Sequence, residues 1–406
     1  MRRNFKFLMQ AFVCLLTIST VFGQRATANQ TQALPVREDS SSSAHARELA
    51  AATLSEMLAK AKQSLKAKGF DQSTVSLAAF DADGAQLHVI GLDKELFLTK
   101  GGEYLLTSDR GARLRLHIVR PNGVNTAVTV IDVTTGRSIF PLMVRYPIER
   151  DGNVEAAFYV SAHPALISPE LATAGTTYVS TMLNDAAQSV AEDGVQIPAD
   201  ILNVAAHLVI VEHTDHKRFM NEERADISRE VLALYALNRG DTFRYSVSSA
   251  GAGGMIQMIP RTYEAIREHH PNVALDADFV SGMQNHANAL KAMLLYINDT
   301  WNYLKQTTEV QQALQSGTAT KTELLAAGYN SNPYKLPSYL SNGGSAWRSL
   351  IPAETQMYLA IYQSVDANVD FATVDSAAID FTSGRLPAVA RVATAALVAS
   401  VGSMLD

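Results

Sequence analysis

Apolar residues change their spacing twice along the chain. Leu54, Met57, Leu58, Ala61 and Leu65 recur at helical intervals and Gly69 follows as a stop, which predicts an amphipathic helix. From Thr74 to Val160 the period drops to two, most plainly in Arg113-Leu-Arg-Leu-His-Ile118 and over much of Val124 to Val133. Turn signals at Asp83-Gly84, Pro121-Asn-Gly123, Thr135-Gly136 and Asp151-Gly152 join these short strands as hairpins. That spacing predicts a small antiparallel β domain of sandwich type. Beyond Ser168-Pro-Glu170, a helix start with Pro in the first turn, the pattern is helical nearly to the end, with a break at Val195–Asp200 (VQIPAD). Ala388 to Leu405 is apolar and Ala-rich but interrupted by Arg391, so a packed or surface-lying helix is expected there rather than a membrane span.

The N-terminus adds a destination. Met1 to Lys6 is basic, Phe7 to Phe22 is apolar, and Ala26-Thr-Ala28 has the small residues of a cleavage site. This reads as a signal peptide over 1–28, and the protein is expected to be exported, either periplasmic or associated with the cell wall. The single cysteine, Cys14, lies in that apolar run, so the exported chain has neither disulfides nor a catalytic thiol. A polar, low-complexity lead-in covers 29–45. The helix and β domain follow over 46–165, a connecting helix over 166–195, a helical domain over 196–370 and the tail over 371–406. The class is α+β. A net charge of −6, without a basic stripe interleaved with aromatics, excludes a nucleic-acid surface.

Candidate chemistry lies in the helical part, around Ser248-Ser-Ala-Gly-Ala-Gly-Gly-Met-Ile-Gln-Met-Ile-Pro260. Small residues there permit close approach, and one Gln interrupts an apolar run. Three further pieces flank it in order: Leu208-Val-Ile-Val-Glu-His213, Ala326-Ala-Gly-Tyr-Asn330 and Ile351-Pro-Ala-Glu-Thr-Gln-Met-Tyr358. Together these resemble the catalytic domain of soluble (SLT-type) lytic transglycosylases, relatives of goose-type lysozyme. Ser248, Gly251, Ala252, Gly254, Gln257 and Pro260 match the family's central motif. Tyr329-Asn330 matches its Tyr-Asn pair, with Gly328 where the family has Ala. Glu354, Thr355 and Tyr358 match the last segment. The resemblance spans 197 to 365 and leaves the β domain aside. It implies an all-α, lysozyme-like domain after the β domain.

One position departs. Where the family carries its catalytic Glu, this chain has Arg239, with Asn238 beside it. Either the domain has no acid, or an insertion of about Phe219 to Arg239 has moved the acid upstream. Ile201, Ala205, Leu208 and Glu212 share one helical face, which favours Glu212 as the acid. Glu230 and the pair Glu222 and Glu223 are the rivals; a solvated helix face is the plainer reading of Glu230.

By the resemblance, Glu212 protonates the oxygen between N-acetylmuramic acid and N-acetylglucosamine. As carboxylate it then accepts a proton from the muramyl C6 hydroxyl, which closes a 1,6-anhydro ring. Burial would raise its pKa as this role needs. By the same resemblance Asn330 binds substrate and Tyr329 hydrogen-bonds the carboxylate, while Gln257 either binds substrate or caps a buried backbone group. Ser248 either positions Glu212 or caps a helix, and Gly251 either admits the sugar or lets two elements pack tightly. Tyr358 lines the cleft or fills the core. No cofactor or metal is expected: His207, His213, Asp215 and His216 lack the HExxH pattern, and no Gly-x-Ser-x-Gly elbow is present. The expected partner is the peptidoglycan glycan strand, with the β domain contacting the wall or an envelope protein, and no stable membrane span once the signal is removed. A non-catalytic peptidoglycan-binding or assembly protein, and a hydrolytic lysozyme on the same fold, are the alternatives.

Overall fold

The computed structural model of the chain describes residues 40–150 and 152–371. The expected signal peptide, most of the lead-in and the tail helix lie outside the described residues. Among the described residues no helix is long and apolar enough to cross a membrane. The first helix, α1 (Ser40–Ala67), begins inside the stretch read as lead-in. Leu54, Met57, Ala61 and Leu65, the spaced residues of the sequence, are its buried stripe.

Seven strands follow: β1 (Thr74–Asp81), β2 (Gln86–Asp93), β3 (Glu103–Thr107), β4 (Arg113–Arg120), β5 (Ala127–Asp132), β6 (Ser138–Arg150) and β7 (Asn153–Tyr159), with a one-turn helix α2 (Lys94–Phe97) after β2. They form one antiparallel sheet ordered β2-β1-β6-β5-β4-β3, with β7 also on β6. The expected sandwich is therefore replaced by a single curled sheet. Its hinge is β6, 13 residues long, which pairs with β1 along one edge and with β5 and then β7 along the other. Register shifts at Ala78/Ala79 and at Ile118/Arg120 add local twist. The curl brings the two outer strands together: Asp109 N donates to Val89 O at 2.9 Å, and Val89 N donates to Asp109 Oδ1 at 2.8 Å. Period two then sorts side chains by face. On β4, Leu114, Leu116 and Ile118 fill the inside while Arg113 and Arg115 stay in water.

The rest is helical: α3 (Pro169–Glu192), α4 (Ala199–Val211), α5 (His216–Asn221), α6 (Arg224–Asn238), α7 (Pro260–His269), α8 (Phe279–Gln284), α9 (His286–Leu304), α10 (Thr308–Gln315), α11 (Lys321–Asn330), α12 (Leu336–Gly343) and α13 (Ala353–Asn368). The segment 219–239, expected as an excursion, is central. Helix α6 gives Leu234 to the sheet's interior, Ala233 and Ala236 to the layer under α1, and Val231, Leu232 and Tyr235 to the helical core. Asn238 continues β7 with its side chain: Val160 N donates to Oδ1 and Nδ2 donates to Val160 O, both at 2.8 Å. Helix α3 lies directly against α6, and only a glycine permits it: a Cβ on Gly175 would come within 1.8 Å of Leu232 O. Sheet and helices thus share α6 as a common beam.

Candidate functional site

Helix α4 opens after Pro198, with Asp200 in its first turn, and is buried on every side from Val204 to Val211. A helix buried all round belongs in the middle of a domain. Its cap is Glu212, whose N–H still bonds to Leu208 O at 2.9 Å. After it the chain turns away: Thr214 Oγ1 donates back to Ile210 O, and His213 stacks on Phe243 with ring centroids 3.5 Å apart. His213 is also bonded to Met255 O, and burial lowers its pKa to about 3, which makes it a neutral strut.

Glu212 itself is partly buried and faces a cleft of about 1270 Å³. Burial pushes its pKa up to about 8, the hydrogen bond from Tyr358 opposes this, and the nearby charge of Glu354 adds to it. The C-terminal end of α4 works in the same direction, because the helix dipole disfavours a negative charge there. At neutral pH Glu212 is therefore largely a protonated acid.

The glycine-rich motif forms the opposite lip. Ser248 N donates to Ala252 O and Gly251 N to Ser248 O, closing a tight tip. Ser248 Oγ accepts from Ala250 N and Ala252 N, so this side chain caps its own turn, not a helix and not Glu212. Gly251 has φ +77 with open space where a Cβ would be. It shapes the tip while its neighbours Ala250 and Ala252 line the cleft. Gly254 answers the question of close approach differently: a Cβ there would lie 2.2 Å from Met283 O, so what comes close is α8. Gln257 sits in the left-handed region at φ 45, held by its own amide, with Nε2 donating to Gly254 O at 2.8 Å and Ser246 Oγ at 3.2 Å. With that nitrogen engaged, its carbonyl oxygen is what it offers the cleft.

Tyr358 fills the core and does not line the cleft, yet it takes the role expected of Tyr329. Tyr329 lines the cleft, but its hydroxyl donates to Ile256 O at 2.7 Å, bracing the motif. It is Tyr358, 3 % exposed and one turn into α13, that donates to Glu212 Oε1 at 2.5 Å. Burial, followed by the charge of Glu212, keeps the Tyr358 hydroxyl protonated and hence a donor. Asn330 lines the cleft with Oδ1 accepting from Thr355 Oγ1 at 2.8 Å, which leaves its Nδ2 to donate. The departure at Gly328 has a packing reason: a Cβ would lie 3.2 Å from Pro333 and 3.3 Å from Thr300.

The remaining carboxylates divide clearly. Glu230 is not solvated; Arg120 at 2.6 Å and Arg218 at 2.9 Å bind it between sheet and helices. Glu222 pairs with Arg218 as well, and Glu223 precedes α6 as its cap. None of these lines the cleft, and neither does Arg239, which ends α6 at φ 48 beside a separate depression with Tyr178 and His286. Glu354, an exposed residue in the first turn of α13, does line it. The sequence shows Glu354 only as part of a motif and does not reveal that it shares a cleft with Glu212. Nor does it reveal the aromatic end of the cleft, where Tyr303 and Tyr334 meet edge to face with centroids 4.6 Å apart.

The arrangement therefore offers one protonated acid, a carbonyl acceptor, an amide donor and an aromatic end along an open groove. A scan against protein-family models finds no match, and neither curated proteins nor solved structures contain a match to the chain.

Proposed function

We propose that the chain is a peptidoglycan lytic transglycosylase, with a lysozyme-like helical domain carrying the reaction and the curled sheet as an accessory module. The observation that carries this reading is Glu212, a partly buried acid held by Tyr358 at 2.5 Å and facing the cleft that Gln257, Tyr329 and Asn330 also line. A carboxyl whose pKa lies near 8 is protonated when the substrate arrives and can serve as general acid at neutral pH.

Glu212 gives its proton to the glycosidic oxygen between muramic acid and glucosamine, and the bond from that oxygen to C1 breaks. The carboxylate left behind accepts the proton of the muramyl C6 hydroxyl, whose oxygen bonds to C1. The acid is thereby restored and no water is consumed. Gln257 and Asn330 present an acceptor and a donor, the pair that an acetamido group requires. An exported, wall-facing location and a wall or envelope contact through the sheet belong to the same proposal.

A second reading, hydrolysis on the same scaffold, is favoured by Glu354, a further carboxylate in the groove where a water-activating base would be needed. Digestion of purified peptidoglycan, with mass spectrometry of the fragments, separates the two. Anhydromuramyl ends from the wild type, falling about 10²- to 10⁴-fold in Glu212→Gln, are the expected result. Reducing ends in their place establish the hydrolase. Folded protein that gives no product, yet sediments with peptidoglycan, points to the non-catalytic binding alternative.

A further inference from the structure

We propose that His269, His270 and Asp299 form a zinc-class divalent metal site that clips α7 to α9 at the edge of the cleft. Their ligand atoms lie within 4.8 Å of one another, the one such convergence of three among the described residues. His207 and His213, grouped with Asp215 and His216 in the sequence, are instead bonded to Asn203 O and Met255 O.

The geometry suits such an ion. His269 Nδ1 lies 3.0 Å and His270 Nε2 2.7 Å from the same oxygen, Asp299 Oδ2. Two imidazole nitrogens thus aim at one carboxylate oxygen from adjacent residues, at the end of α7 and just beyond it, while Asp299 comes from α9. Two histidines and a carboxylate are a donor set zinc accepts, with bonds of about 2.0–2.1 Å and a fourth position for water. Tetrahedral bonds of that length separate ligand atoms by about 3.3 Å. Each imidazole–carboxylate distance therefore opens by some tenths of an ångström to admit the ion. His269, whose side chain is 70 % exposed, has the freedom to move. With their ring protons on His269 Nε2 and His270 Nδ1, the two nitrogens that face Asp299 carry lone pairs and can coordinate.

Location gives the site a consequence. Arg261, Thr262 and Ile266 of α7 and Tyr296, Thr300 and Tyr303 of α9 line the cleft, and so do His269 and Asp299 themselves. An ion here ties two cleft walls together at the edge of the groove. This inference stands apart from the glycan chemistry and does not depend on it.

The test is calorimetric titration of Zn²⁺ into the untagged, chelator-treated chain and into His269→Gln and Asp299→Asn, with melting curves of each. Visible absorption of the Co²⁺-loaded chain checks the coordination. One ion per wild-type chain, at least about 100-fold weaker binding in both variants, and a zinc-dependent rise in Tm seen only in the wild type are expected. The exposed His269→Gln keeps the test sound if Asp299→Asn fails to fold. Absence of stoichiometric uptake, or equal binding and equal Tm rise in wild type and His269→Gln, overturns the assignment.

Discussion

Arg145, on the sheet, is 4 % exposed, and its guanidinium donates to Leu65 O, Lys68 O and Gly69 O at the end of α1 and to Ser76 Oγ. Glu212, in the helical half, is itself at a helix end, yet it receives a single side-chain hydrogen bond, from Tyr358. The same physics acts on both, since burial disfavours either charge. Arg145 stays charged because the carbonyls at a helix C-terminus are the partners a cation requires, even with its Nε buried and unbonded. Glu212 is placed at a helix C-terminus with the wrong sign and one donor, so the proton stays on. A buried charge with several partners holds the structure; one with too few keeps its proton, as the proposed general acid must.

The contrast can be broken in order of expected effect. Arg145→Met should cost about 3–5 kcal/mol by urea unfolding, because three helix-end carbonyls lose their donor. A loss below about 1 kcal/mol would mean that the partners are interchangeable with water. Glu212→Gln should act in the opposite direction on stability. Its folded pKa near 8 is above the unfolded value of 4.5, so folding takes up a proton, and wild-type stability falls as pH rises from the lower value to the higher. The variant lacks this loss, and at pH 9 it should exceed the wild type by roughly 2–4 kcal/mol. A variant that is weaker at pH 9 would place Glu212 beside Arg145 as a structural charge.

Smaller effects sharpen the picture. Tyr358→Phe removes the bond that favours the carboxylate, so Glu212 titrates at still higher pH; on the proposed function, peptidoglycan cleavage should also fall about 10-fold. Tyr329→Phe breaks the bond to Ile256 O instead, at about 1 kcal/mol of stability, and should leave the Glu212 titration nearer the wild type. Carboxyl ¹³C shifts followed through pH distinguish the two. Smallest is Glu354→Gln, which removes a like charge and lowers the Glu212 pKa, an effect that added salt should erase.

Particular residues show how far the sequence could be read. The stripe of α1 and the alternation of β4 came through because each records burial in its own period. The turns at Gly84, Gly123, Gly136 and Gly152 came through because a hairpin needs special local backbone. The sandwich did not, since curling depends on β6 pairing with three strands, and pairing is non-local. Glu212 was legible because helical spacing placed it on an apolar face. The Tyr358 hydroxyl was not, because nothing within Glu354–Tyr358 tells which of two tyrosines, 29 positions apart, reaches the carboxylate.

What the chain determined by itself was therefore local: which segments are helix or strand, where they turn, and that Glu212, Gln257, Tyr329 and Asn330 occur at spacings fit for one site. Only the tertiary structure decided that α6 joins sheet to helices, that Gly175 and Gly254 serve packing, and that Glu354 enters the cleft of Glu212. It alone brought His269 and His270 onto Asp299. Local periodicity reports the face a residue shows, whereas hydrogen bonds, pKa values and metal geometry depend on which distant face it meets.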